Sequence, residues 1–312
     1  MTVAVINAMI RPLLEPVLPG WIEPRWFATR EELFAFAPQA EIAWFDSFDI
    51  PSTHEAARLA ERVRWLNTLA AGVDPFPLAL LRERGTLLTN GAGLNAITIA
   101  EYAVMGMLTI AKGWREVVRA QERHEWLADA PGKQELCGSR ALILGAGGIG
   151  GRIADLLRPW GVEVCTVRRN PGPDDIGVGE WRSRLAEFDW VVIAVPATPD
   201  TVQMFGVAEL AAMKSSAALL NFARGAVIDQ PALVAALRDR QIAAAFLDVT
   251  DPEPLPPDHP LWSLDNCHIS MHLSGRSQTR LFERAAQRFV ANLERYRQGK
   301  PLESLVDLSL GY

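Results

Sequence analysis

Short apolar runs alternate with longer amphipathic stretches through the first ninety-odd residues. Residues 3–6, 41–45, 63–69 and 86–89 read as strands, and residues 53–61 and 78–83 as helices. That alternation predicts a parallel sheet with helices on its faces. Residues 98–111 are apolar on every side, which predicts a buried helix and puts Met105 and Met107 in the core or at a subunit interface. Near the end, Leu281, Phe282, Ala285, Phe289, Leu293 and Tyr296 recur at helical spacing. They predict an amphipathic helix over 279–298, stopped by Gly299 and Pro301. No internal repeat or low-complexity tract interrupts the pattern.

In the middle of the chain a strand-like run, 140–144, passes straight into Gly145-Ala146-Gly147-Gly148-Ile149-Gly150. A helical stripe of Ile153, Leu156 and Leu157 follows, until Pro159 and Gly161 end it. A glycine triplet alone is weak evidence, but strand before and helix after are the setting of a dinucleotide cradle. Gly145 permits the tight turn, Gly147 close approach to a pyrophosphate, and Gly150 close packing of the helix, whose N-terminus faces the phosphates. Gly148 and Ile149 complete that loop. The next strand, 162–167, ends where an acid would bind a ribose 2′-hydroxyl, roughly twenty residues past the loop. Arg168 and Arg169 stand there, with no acid. Arginine suits a 2′-phosphate, so NADP(H) is favoured over NAD(H), although two solvated surface arginines would look the same.

Three further residues carry chemistry. Arg224 follows a strand-like 217–222, at the strand end where ligands of open α/β sheets gather, and its planar fork can hold a carboxylate and a carbonyl oxygen together. His272 closes the run 267–271, and a histidine there can protonate a developing alkoxide. Glu253 lies in a stretch stiffened by prolines 252, 254, 256, 257 and 260, suited to orienting that imidazole. Each residue alone is more often structural; their order and strand-end positions together point to reduction of a carbonyl beside a carboxylate. The other histidines, 54, 124, 259 and 268, fall in helices, a loop and a strand interior.

Composition narrows the partners. Across 312 residues, 49% are hydrophobic, as in a globular protein of two domains. Lys+Arg of 31 against Asp+Glu of 37 gives a net charge of −6, which argues against nucleic acid or an anionic membrane as partner. Three widely spaced cysteines, 137, 165 and 267, fit reduced thiols in a cytoplasmic protein and form no metal motif. The first residues lack the basic lead of a secretory signal.

These motifs together resemble the D-isomer-specific 2-hydroxyacid dehydrogenases, most of all the glyoxylate/hydroxypyruvate reductase branch. The resemblance covers nearly the whole chain. Besides the segment 140–276, Leu69-Ala70-Ala71-Gly72-Val73-Asp74 is similar to the family's substrate loop, Ala100-Glu101 to its entry into the nucleotide domain, and the segment from Val195 and Pro196 to Thr201 to its cofactor-side loop. The branch is suggested by Val306-Asp307-Leu308, Gly311-Tyr312 and Trp44. The resemblance implies two doubly wound parallel-sheet domains: a Rossmann nucleotide-binding domain, 98–278, inserted into a flavodoxin-like substrate domain built from 1–97 and 279–312.

It further implies that Ala70, Ala71 and Gly72 receive the substrate carboxylate through backbone N–H groups and that Trp44 flanks the substrate. Arg224 would bind substrate, His272 act as acid/base with Glu253 as partner, and Asp248 contact the nicotinamide carboxamide. The implied activity is NADPH-preferring reduction of small 2-oxo acids to D-2-hydroxy acids by a homodimer. Two departures stand out. Met271 replaces the proline usual before the catalytic histidine, and Thr250 a usual aromatic. A dinucleotide-binding sensor of the same fold is the main alternative; a metal-dependent hydrolase using Asp248, Asp251, Glu253, Asp258 and His259 lacks any recognised ligand spacing.

Overall fold

The computed structural model describes residues 1–46, 49–73, 75–172 and 175–311; Asp74 and Tyr312, which carried part of the resemblance, lie outside them. The chain divides into two compact units, Met1–Asn95 with Gln278–Tyr312, and Ala96–Ser277.

The first unit has five parallel strands: β1 (Thr2–Asn7), β2 (Ile22–Phe27), β3 (Ile42–Trp44), β4 (Trp65–Asn67) and β5 (Leu87–Thr89), in the order β2-β1-β3-β4-β5. Side chains alternate between its faces, as the pleat requires. Val5, Ala43, Leu66 and Leu88 feed one apolar layer. Ala4, Ile6, Ile42, Trp44 and Trp65 feed the other, where helix Leu281–Arg297 adds Phe289 and Leu293. The hydrophobic pattern does not announce β2. Glu23, Pro24 and Arg25 break its period, and the strand is tolerated because it lies at the sheet edge, where a missing N–H costs no ladder bond.

The second unit has seven parallel strands: β6 (Arg140–Leu144), β7 (Glu163–Arg168), β8 (Asp175–Gly177), β9 (Trp190–Ile193), β10 (Ala218–Asn221), β11 (Ala244–Leu247) and β12 (Cys267–Ile269). Their order is β12-β11-β10-β9-β6-β7-β8, so the direction of winding reverses between β6 and β9. The central strands β9, β10 and β11 are buried throughout, because helices cover both faces. Leu142, Val191, Leu219 and Leu247 face one layer, while Ile143, Val192, Leu220 and Phe246 face the other. Both sheets are therefore doubly wound.

Helix Ala96–Ala111 packs on the second layer through Ala100, Ala103 and Met107, with Gly106 against the Phe246 ring. Its burial is one-sided. Met107 is inaccessible, but Met105 is 44% exposed and Ile97 lies on the same open stripe. A helix apolar all round thus has a covered face and an open one. Among the described residues, no single helix is long and apolar enough to cross a membrane.

Candidate active site

Neighbouring strands bring distant residues together. β10, β11 and β12 lie side by side and parallel, so their carboxyl ends share one edge of the second unit's sheet. Arg224 leaves the end of β10, Asp248 and Glu253 follow β11, and His272 follows β12. This is the edge at which open α/β sheets place ligands. The loop after β10 is shaped by Asn221, whose side chain accepts from the Ala223 N–H (3.0 Å) and donates to the Arg224 carbonyl (3.0 Å). Arg224 donates through Nη1 to the Ala223 carbonyl at 2.9 Å. Gln230 pins the loop after β11 by a reciprocal pair of bonds to the Asp251 backbone, at 2.6 and 3.0 Å.

Glu253 accepts from the Thr250 N–H at 3.1 Å with one oxygen and meets His272 Nδ1 at 2.7 Å with the other. One carboxylate is thereby fixed against the backbone while it fixes the ring. His272 Nε2 has no hydrogen-bond partner among the described residues, and the side chain is 43% exposed. An imidazole anchored at Nδ1 and open at Nε2 is arranged to pass a proton outward. Asp248 is 4% exposed, and its carboxylate is engaged by Ser270 and Ser274. Three of the other four histidines have local explanations. His54 packs edge-on against Phe76, and His259 caps a turn by accepting from the Leu261 N–H. His268 stacks on Phe246, and burial pushes its imidazole down to about 4.

The glycine loop joins β6 to helix Gly148–Leu157, with Gly147 as N-cap. Gly145 has φ +95°, and a Cβ on Gly150 would lie 1.8 Å from the Gly145 carbonyl oxygen. Strand and helix are closed on each other as tightly as backbone allows. A Cβ on Gly147 would instead meet open space. That gap, beside a helix start whose first N–H groups lack intrahelical acceptors, fits a pyrophosphate. Across it, Thr201 Oγ1 donates to the Pro196 carbonyl (2.7 Å) and accepts from the Thr198 N–H (2.8 Å), closing the loop after β9.

At the end of β7 the structure adds an acid that the local sequence lacks. Asp175, opposite Thr166 on β8, sits 3.1 Å from Arg168 Nε and also accepts from the Gly172 N–H. Its carboxyl is held below the usual range, chiefly by the Thr166 hydroxyl. Strand pairing delivers it, so no reading of residues near Arg168 alone would find it.

In the first unit, Ala70, Ala71 and Gly72 lie in the loop after β4. Asn90 Nδ2 donates to the Ala71 carbonyl at 2.7 Å, and Gly91 N–H to the Ala70 carbonyl at 2.8 Å. The N–H groups of Ala71 and Gly72 have no acceptor among the described residues, which leaves them for an anion. Trp44, expected to flank the substrate, is instead core. It is 2% exposed with its ring 5.0 Å from Phe289, because the end of β3 needs a large side chain to fill the space under the C-terminal helix. It serves the loop indirectly, by hydrogen-bonding Asp46.

Asp46, which sequence reasoning passed over, holds the start of that loop. Its carboxylate accepts from Thr68 Oγ1 (2.7 Å) and the Leu69 N–H (2.9 Å), and Thr68 Oγ1 accepts from the Ala70 N–H (3.1 Å). Burial outweighs these bonds and pushes the carboxyl up to about 6. The folded group then binds its proton more tightly than the unfolded one, so its contribution favours the fold at low pH and fades as pH rises through about 6. Urea unfolding of wild type and Asp46→Asn should show the wild type losing about 2 kcal/mol relative to the variant between about pH 4.5 and about pH 8. A pH-independent difference would mean an ordinary carboxyl.

Residues 104–274 match the family described as D-isomer specific 2-hydroxyacid dehydrogenase, NAD binding domain. The chain belongs to that family. This dehydrogenase is 35% identical over 224 residues to the mouse glyoxylate reductase/hydroxypyruvate reductase, covering 68% of this chain and 67% of that protein. It is 32% identical over 267 residues to the glyoxylate reductase of Korarchaeum cryptofilum, covering 82% and 80%. Among solved structures, a D-isomer specific 2-hydroxyacid dehydrogenase family protein from Aeromonas salmonicida superposes with a TM-score of 0.84 at 27% identity, over 98% of this dehydrogenase and 99% of that chain. A family member from Xanthobacter autotrophicus, solved with NADPH and MES, does so at 0.80 and 26%, over 100% and 99%.

Proposed function

We propose that this dehydrogenase is an NADPH-preferring reductase of small 2-oxo acids of the glyoxylate or hydroxypyruvate type, yielding D-2-hydroxy acids. The observation that carries the reading is the His272–Glu253 pair on the sheet edge that also holds Arg224 and the glycine loop. Gly145, Gly147, Gly148, Ile149 and Gly150 would cradle the pyrophosphate, with Arg168 and Arg169 at the 2′-phosphate and Pro196 and Thr201 alongside. Bound there, the dihydronicotinamide supplies the hydride that reduces the keto carbon.

The chain's own residues do the rest. Arg224 grips the substrate carboxylate and carbonyl oxygen and stabilises the charge that develops on that oxygen. His272 delivers a proton from Nε2, while Glu253 holds the ring by Nδ1 and offsets the charge it carries beforehand. Ala71 and Gly72 receive carboxylate oxygens on the N–H groups they leave unused, while Ala70, whose N–H is taken by Thr68 Oγ1, shapes the loop. The apolar rim of Met105, Trp114, Val118 and Trp262, around a hollow of about 500 Å³, supports a homodimer formed through the nucleotide-binding unit.

The test is NADPH and NADH oxidation across a panel of 2-oxo acids. Turnover of glyoxylate or hydroxypyruvate, faster with NADPH, is the expected result; tight NADPH binding with no turnover of any acid would make the protein a sensor. Arg168→Asp should raise the Kd for NADPH by about 10- to 100-fold, the worth of one charge-assisted contact, and change that for NADH far less. Fluorescence titration with both nucleotides measures it, and an unchanged ratio would reduce Arg168 to ordinary surface.

A further inference from the structure

The turn that carries His272 is held in an unfavourable shape. Met271 and His272 are consecutive residues at φ +53° and +56°, in the left-handed region that side chains other than glycine and asparagine avoid. Proline, with φ near −65°, has no access to the conformation of Met271. A pair of this kind persists only where its surroundings over-determine it.

The Leu273 N–H closes the turn on the Ser270 carbonyl at 3.0 Å, and four further bonds converge on one residue, Asp248. Ser270 Oγ donates to Asp248 Oδ1 at 2.7 Å, and the Ser274 N–H donates to the same oxygen at 3.2 Å. Ser274 Oγ donates to Oδ2, and the His272 N–H donates to the Asp248 carbonyl at 2.6 Å. The donors precede, occupy and follow the turn, and Asp248, Ser270 and Ser274 are all buried. Behind them, Thr98 Oγ1 bonds the Ser274 and Ser277 carbonyls at 3.0 and 2.8 Å, tying the segment to helix Ala96–Ala111.

We propose that Ser270 and Ser274, clamped on Asp248, are positioning residues that hold the Met271–His272 turn left-handed and so set where the imidazole stands. The division of labour is then clear. Glu253 fixes the rotation of the ring, and the Asp248 clamp fixes the backbone from which the ring projects. Asp248 spends three of a carboxylate's roughly four acceptor positions on the clamp, leaving one for any other partner. This inference rests on the reading of His272 as proton donor.

Ser274→Ala removes a buried clamp bond without adding bulk. It should lower kcat on a 2-oxo acid by about tenfold, since small misplacements of a reacting group are costly. The Kd for NADPH by fluorescence titration should stay within about twofold, and amide exchange at His272 and Leu273 should quicken by about tenfold. Ser270→Ala, which also removes one bond and guards against a misfolded first variant, should act in the same direction. Adding Met271→Gly to Ser274→Ala should restore about half of the lost kcat, because glycine takes the left-handed region without penalty. Wild-type kcat and wild-type exchange in both serine variants would overturn the clamp, as would failure of the glycine to restore activity. If the wild type turns over no 2-oxo acid, the proposed function falls; faster exchange in the serine variants would still support the clamp.

Discussion

Replacing His272 with asparagine should cut kcat for 2-oxo acid reduction by about a thousandfold, within the span general acid catalysis commonly supplies. Asparagine can still reach Glu253 from the same backbone, but it has no proton to give at the position of Nε2. Binding of NADPH should persist, because the glycine loop and Arg168 lie on other strands of the sheet. The pair makes a second, graded case. Glu253→Gln keeps a carbonyl oxygen for the Thr250 N–H or the ring and removes the charge, so its loss should be smaller, about 10- to 100-fold. Steady-state rates, with nucleotide titrations on the same preparations, decide the matter. A His272→Asn enzyme within about tenfold of wild type would remove the imidazole from the chemistry.

Gly225→Ala should be nearly as severe by a different route. A Cβ there would sit 2.1 Å from the carbonyl carbon and oxygen of Thr250 and 2.5 Å from the Asp251 nitrogen. These are backbone atoms of the loop that carries Glu253, and no rotamer change relieves the overlap. The loop must move by an ångström or more, which disturbs the Thr250–Glu253 bond, the Gln230–Asp251 pair and Arg224 on the glycine's other side. A cost of about 3 kcal/mol in stability is in line with overpacking against an unyielding wall, and a shift of that size at the site should lower kcat/KM by about 100-fold. Gly179→Ala, with nothing near its added carbon and no left-handed backbone, is the control and should be close to neutral. Thermal melts and kinetics on the two variants test the contrast; equal behaviour would mean the loop gives way easily.

The fold was legible because its signals are local. A strand running into a glycine turn and then into a helix needs no distant partner to be read, and the buried centres of the sheets are runs of apolar residues. What escaped depends on pairing. β2 and β8 are edge strands whose sequences carry prolines, charges or glycine at or beside the strand, so only their neighbours reveal them as strands. Asp175 comes to Arg168 across a strand pair, and Asp46 to Leu69 from the end of an adjacent strand. Trp44 shows the opposite failure. A large aromatic at a strand end looks the same in sequence whether it lines a site or fills a core, and only the Phe289 ring decides it. The serines around Met271–His272 were invisible for a related reason, since nothing in their identity says that both hydroxyls turn toward one buried carboxylate.

The second unit begins and ends at one place. Thr98, just inside its first residue, bonds the carbonyl of Ser277, its last, and in the first unit Asn95 and Gln278 join across the same junction at 2.7 Å. The 182 residues between therefore leave the first unit and return to it at points close enough for those two side chains to bond. Closure of so narrow a gap asks little entropy of the five-stranded unit. In effect the seven-stranded unit is an insert whose two ends return to the same point.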